Sequence, residues 1–250
     1  MDYYPFELTL PTAPAIVHPL FQHHSSMRER RAGDLLIQAG ETAPPIHFIH
    51  SGHCAYIHTN PQGISRICGI LPPGGFCGFP PGFSRSSAPI SVFCLDPVKA
   101  HTTPYTFFLK KIKADMRTYV DILEYVLIAT NSLYSNILHQ LNMNLPQRLA
   151  VFLRGCSRCM NARPDASGRV FLPLKLSHER LGMLTSATRV TTTLLLSHMT
   201  RLGVLEQGKE GFRFKPELID PEFIRTELAR KEWTRIRQRR SCPWREPPQE

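Results

Sequence analysis

Residues 186–199 read SATRVTTTLLLSHM, and their types and spacing suit contact with a polyanion. Thr188, Thr191, Thr192 and Thr193 are β-branched and only fair helix formers. Yet Leu195, Leu196, Met199 and Leu202 recur around them at helical spacing. If Thr192, Leu195, Leu196, Met199 and Leu202 form the buried side, then Arg189, Val190, Thr193, Leu194 and Ser197 face outward near the first turns. The hydroxyls of Thr188 and Thr191 sit at the positive end of that helix, where short donors bond phosphate oxygens. Arg189 is the residue for bidentate reading of guanine, worth about 1–3 kcal/mol of discrimination per contact. Val190 and Leu194, four apart on the outer face, can meet thymine methyls.

Those residues need a frame. Ser177 stands before HERLGMLT as an N-cap, with Leu181 and Leu184 facing inward. The segment TSA makes a tight connection to the second helix, expected over 188–202 and closed by Gly203. VLEQGKEGFRFKP then reads as strand, Gly-rich turn and strand. Two helices joined by a short turn and followed by a two-stranded wing make a winged helix-turn-helix, whose second helix enters the major groove of duplex DNA.

Further upstream the character changes twice. The first twenty residues are Pro-rich and read as irregular. From Arg30 to Phe93, DLLIQAGE, IHFIHSGHCAYIH, SRICGILPPGGFCGF and APISVFCL read as brief strands between Gly and Pro turns, the pattern of a β-roll. From Phe108 to Leu141 there is no Gly or Pro. Leu109, Ile112, Met116, Tyr119, Leu123, Val126, Leu133, Ile137 and Leu141 step by threes and fours, with a weak place at Thr130. One long amphipathic helix is expected, with a stripe longer than a small roll can cover, so it pairs with a second copy of itself. Asn144 and Pro146 mark an interruption and a fresh helix start. The class is therefore α+β. A jelly-roll-like sensor domain occupies 1–108, a dimerisation helix and hinge 109–143, a winged helix-turn-helix 144–220 and a basic tail 221–250.

The bulk properties agree. A net charge of +10 favours a polyanionic partner, here double-stranded DNA. Seven scattered cysteines argue for a reducing compartment, and no secretory leader or apolar run of membrane-spanning length is visible, so the expected location is cytoplasmic. No paired carboxylates and no nucleophile with its base stand out, and LPPGGFCG lacks the Lys-Ser/Thr of a P-loop, so catalysis is not expected. Cys156-x-x-Cys159 is an isolated pair, read as ordinary thiols. Alternation puts His53 and His58 on opposite faces of a strand, so no metal site is expected.

A roll bearing RRAGDLLIQAGE, IHFIHSGHCAYI and LPPGGFCG, a long helix, RLAVFLRG, and LSHERLGMLTSATRVTTTLLLSHMTRLGVL, in that order, resembles the CRP/FNR family of bacterial transcription regulators over residues 28–215. The resemblance implies a homodimer on a pseudo-palindromic operator, a small-molecule effector in the roll, and RNA polymerase as a further partner. It places the effector pocket at Gly75, Phe76, Cys77, Gly78, Phe79, Arg85, Ser86, Leu133 and Tyr134. Members that bind cyclic AMP carry Gly-Glu-Leu where this chain has Gly78-Phe79-Pro80, and Leu133-Tyr134 replaces their adenine-binding Thr-Ser. A pocket lined by Phe79, Leu133 and Tyr134 suits an apolar or aromatic effector. No N-terminal cysteine cluster is present for an iron–sulfur group, since the first cysteine is Cys54. Haem-based sensing of gas or redox state is the alternative, with His53, Cys68 and Cys77 as ligands; constitutive DNA binding with the roll as a mere scaffold is another.

Overall fold

A computed structural model of the chain describes residues 9–22, 25–63, 65–79, 86–160 and 162–219, apart from the side chains at 22, 139, 140, 158 and 159. Arg85, the Cys159 side chain and the basic tail 221–250 lie outside the described residues. Two sheets face each other in the N-terminal unit. One has the order β1-β8-β3-β6, built from Ser26–Arg30, Val98–Thr103, Ile46–Ser51 and Phe76–Cys77. The other has the order β2-β7-β4-β5, built from Leu35–Ile37, Ser91–Cys94, Cys54–Thr59 and Ser65–Leu71. This is the expected roll. The N-terminal segment is more regular than its prolines suggest: α1 (His18–Gln22) follows a 3-10 turn, and Leu10, Val17 and Phe21 are buried beneath it.

Among the strands, His47 is buried with its Nδ1 3.1 Å from Thr102 Oγ1. Burial disfavours the imidazolium and pushes its pKa from 6.5 down to about 4. The folded value lies below the unfolded one, so the associated stability is whole above pH 6.5 and is lost as pH falls through about 4. The gap corresponds to about 3 kcal/mol. Urea denaturation should therefore show stability falling between pH 6.5 and 4, and His47→Gln should flatten that fall. Equal slopes for variant and wild type would remove His47 as the cause.

The expected single helix is two. α2 (Tyr105–Lys113) ends at Ala114, and α3 (Met116–Asn142) starts afresh. Asp115 makes the break: its carboxylate accepts from the backbone N–H of Arg117 and Thr118 and from the Thr118 hydroxyl, an N-cap that outcompetes helix continuation. The apolar stripe also divides. Ile122, Tyr125, Ser132 and Asn136 are buried against the roll, and Asn136 Nδ2 donates to Cys68 O. On the other side Met116, Val120, Leu123, Leu127, Tyr134, Ile137 and Leu141 are exposed. With Thr130 they repeat at alternating spacings of four and three, a heptad seam.

α4 (Leu145–Cys159) starts with a reciprocal cap. Asn144 N–H donates to Gln147 Oε1, and Gln147 N–H donates to Asn144 Oδ1. Only Met143 and Asn144 separate α3 from α4, an interruption of the helix ladder within the span expected to act as a hinge. The C-terminal unit continues with β9 (Val170–Leu172), α5 (His178–Thr185), α6 (Arg189–Arg201), β10 (Leu205–Gly208) and β11 (Gly211–Phe214), the last two pairing as the wing with β9 outside them. Its core is continuous with the outer face of the roll. Ala55, Ile67, Ile70 and Leu95 share one buried cluster with Leu149, Phe152, Leu181, Leu184, Leu195 and Met199.

Candidate nucleic-acid interface and effector pocket

α5 and α6 are locked together from within. Ser177 caps α5 by accepting from Arg180 N–H, and Ser186 takes a left-handed conformation at φ 54° in the turn. Ala187 N–H donates to Gly182 O across that turn. A Cβ at Gly182 would lie 2.6 Å from Ala187 O, so only glycine permits this crossing of helix and turn. Leu181, Leu184, Leu195, Leu196 and Met199 fill the space between. Gly203 closes α6 at φ 67°, with Val204 N–H on Met199 O and Gly203 N–H on Thr200 O.

The outward edge of α6 matches most of the expected set. Thr188, Arg189, Val190, Leu194 and Ser197 are exposed; Thr192 is buried, its hydroxyl bonded to Thr188 O. Thr188 has a double task. Its hydroxyl accepts from Thr191 N–H as the N-cap and lies 2.8 Å from Thr191 Oγ1, so one proton of this pair remains available for an external acceptor. Two expectations shift. Leu202 is half exposed because the chain has already turned into the Gly203 terminator. Thr193 is half-buried, donating to Arg189 O and bonded to His178 Nδ1, so it braces the motif instead of standing free on its surface.

Sequence reasoning overlooked His178. Its other ring nitrogen, Nε2, meets Gln207 Oε1 on β10, and Gln207 Nε2 donates to Leu176 O. One imidazole thus ties the first helix, the second helix and the wing. The only sequence signal was its place beside the Ser177 cap, which carries no hint of the partners. Arg180 was also passed over: its guanidinium donates to Leu95 O of the roll and lies over the Phe93 ring.

The residues expected to line an effector pocket do not form one wall. Phe76, Cys77 and Phe79 are buried, and Gly78 is left-handed at φ 100°, with room for no side chain 2.4 Å from Pro45 O. A Cβ at Gly75 would meet Leu71 Cδ1 at 2.4 Å. Phe79 packs against Phe108 in an aromatic cluster with Phe21 and Phe76. Leu133 lies elsewhere, over Gly69 and against the cluster that holds Cys54 and Cys94, while Tyr134 is exposed on the heptad seam. Ser86 is exposed, and Arg85 lies outside the described residues. The contact between the turn and the long helix is made by Tyr125, which sequence reasoning missed. Its ring stacks on Phe76 at 4.4 Å, and its hydroxyl donates to Phe76 O while accepting from Phe76 N–H. Beside it the roll interior holds Cys54, Cys77, Cys94 and Tyr56.

His53, Cys68 and Cys77 do not converge as haem ligands. His53 Nδ1 is bonded to Asp96 at the end of the roll nearest α5, Cys77 is in the interior, and Cys68 lies under Asn136. Among the described residues no group of three His, Cys, Asp or Glu side chains could hold a metal ion, and no helix is long and apolar enough to cross a membrane.

Comparison with known proteins adds the following. Residues 27–115 match the family model of the cyclic nucleotide-binding domain. No curated protein matches the chain. FixK2 from Bradyrhizobium japonicum superposes with a TM-score of 0.67 at 16% identity, covering 78% of this chain and 95% of its own. A transcriptional regulator of the CRP/FNR family from Thermus thermophilus superposes at 0.62 with 18% identity, covering 78% and 96%. The c-di-GMP responsive regulator CLP from Xanthomonas campestris gives 0.67 at 15% identity, covering 80% and 99%.

Proposed function

We propose that this chain, whose fold is that of the CRP/FNR transcription regulators, is itself a dimeric, ligand-responsive regulator that binds a pseudo-palindromic operator. The observation that carries the reading is the outer edge of α6, where Thr188, Arg189, Val190, Leu194 and Ser197 stand exposed on a helix whose other face is fully anchored. The exposed heptad seam of α3 supports the dimer, since a contiguous apolar stripe of that length calls for a matching partner. Two copies joined there offer two recognition helices to successive major grooves, about one helical turn apart. The protein works by binding, in the cytoplasm, with RNA polymerase as its downstream partner.

The effector is a small apolar or aromatic molecule. Phe79 stands where a ribose-binding carboxylate would be needed for cyclic AMP, and Phe76 and Phe79 of the turn share one apolar cluster with Tyr125. A ligand that prefers one arrangement of turn, Tyr125 and α3 shifts the population of DNA-domain arrangements through the break at Met143-Asn144.

Selection of binding sites from a random duplex pool with the full chain tests the reading. An enriched inverted repeat is expected, with half-site centres about 10 base pairs apart. Recovery of unenriched sequence at low salt would defeat it.

A further inference from the structure

Inside the roll, Cys54 opens β4 and Cys94 closes β7, and the two are directly opposite in the antiparallel register. Leu95 N–H donates to His53 O at 2.8 Å, so 53/95 is the hydrogen-bonded step of this ladder. Cys54/Cys94 is then the neighbouring non-bonded step, where facing Cα atoms lie about 4.5 Å apart. That separation falls within the range of about 4.4–6.8 Å that a disulfide spans. Both side chains are fully buried and belong to one core cluster.

The outer face of the same strand grips the DNA-binding unit. Alternation along β7 sends Cys94 inward and Phe93 outward, and Leu95 follows at the strand's end. Leu95 O accepts from Arg180 of α5, and Phe93 lies 6.0 Å from the Arg180 guanidinium carbon. Leu95 O is free for Arg180 because His53 N–H is taken by Asp96 Oδ1 instead. Whatever moves Cys94 therefore moves the anchor of α5, and α5 is tied to the turn before α6 through Gly182 O and to α6 itself through His178.

We propose that Cys54 and Cys94 are a modification site: a peroxide converts them to a reversible cross-strand disulfide that resets the grip of Phe93 and Leu95 on Arg180. In the reduced protein the Cys54 S–H donates to the Cys94 sulfur, which holds the Cys94 thiol below its usual pKa and the Cys54 thiol above it. The reaction balances with either sulfur as the nucleophile, and with Cys94 in that role it takes two steps. The Cys94 sulfur gives up its own proton as it attacks one peroxide oxygen, the O–O bond breaks, and the departing oxygen takes that proton, leaving as water when the oxidant is hydrogen peroxide. Cys54 sulfur then displaces the sulfenic oxygen from Cys94, and that oxygen takes the Cys54 thiol proton and leaves as a second water. Two thiols lose two electrons, and one peroxide gains them.

The regulatory half rests on the DNA-binding reading; formation of the bond does not. Full-length protein is treated with hydrogen peroxide, blocked with N-ethylmaleimide, digested with trypsin without reductant and analysed by mass spectrometry. Cleavage after Arg31, Arg66, Arg85 and Lys99 puts Cys54 in 32–66, Cys94 in 86–99, and Cys68 with Cys77 in 67–85. A 32–66/86–99 linkage is expected, abolished by dithiothreitol and by Cys94→Ser but kept in Cys77→Ser. No linkage, or linkage to 67–85 in its place, overturns the proposal. Should Cys94→Ser fail to fold, the wild-type map decides alone. Oxidation should change operator affinity about fivefold or more in the wild type. It should do nothing in Arg180→Gln, although that variant still forms the bond. A linkage that leaves wild-type affinity unchanged overturns the regulatory half. Linkage in a protein that binds no operator even when reduced refutes the DNA-binding reading and leaves the thiol site standing.

Discussion

Leu127→Glu combined with Ile137→Glu should leave the protein monomeric in sedimentation velocity and lower operator affinity by about 10²–10⁴-fold at fixed salt. Both side chains lie on the exposed seam of α3, 57% and 48% accessible in the single chain. In a two-stranded pairing each would be buried against its counterpart, a gain of about 1.5–3 kcal/mol per side chain. A carboxylate there forfeits that gain and faces a like charge across the twofold axis. Neither residue touches the buried face carrying Ile122, Tyr125 and Asn136, so far-ultraviolet circular dichroism and the melting of the roll should be unchanged. The loss of affinity follows because the second half-site is then no longer held near its recognition helix. A double variant that sediments as a dimer would show that α3 is not the interface.

Arg189→Ala should cost about 1–3 kcal/mol per half-site and erase the preference at one base position in each. The residue is exposed at the first turn of α6, beside the Thr188 cap, so truncation removes contact with DNA and little from the fold. Arg189→Lys separates charge from geometry. A lysine keeps the phosphate-attracting charge but not the two-pronged fork that matches guanine. It should retain the salt dependence of binding while losing the sequence preference, measured by fluorescence anisotropy on matched and mismatched duplexes. Wild-type discrimination in both variants would assign base reading to another side chain.

The outer edge of α6 was legible because the helix period alone sorts that helix into faces. Thr192, Leu195, Leu196 and Met199 went inside, and Arg189, Val190, Leu194 and Ser197 stayed out. Leu202 and Thr193 escaped that rule for different reasons: one sits in the terminator, the other was recruited by His178 of the preceding helix. The pocket was less legible. The residues expected around an effector do not come together, and carrying positions over by resemblance placed Tyr134 inside when the register of α3 turns it outward and turns Tyr125 in. A stripe that steps by threes and fours does not reveal that one side faces a roll and the other a seam.

What the amino-acid sequence determined by itself was everything set within a turn or two of chain: the strand-and-turn character of the roll, the caps at Ser177 and Asn144, the Gly203 terminator and the outer edge of α6. These depend on side-chain period, hydroxyl and amide caps, and backbone freedom, all local properties. Only the tertiary structure decided that His178 joins helix to wing, that Cys54 faces Cys94, and that Arg180 holds the roll. Each pairs groups from 15 to 85 residues apart. Such pairings follow from how the two sheets close and how the second unit docks on them, which no spacing along the chain encodes.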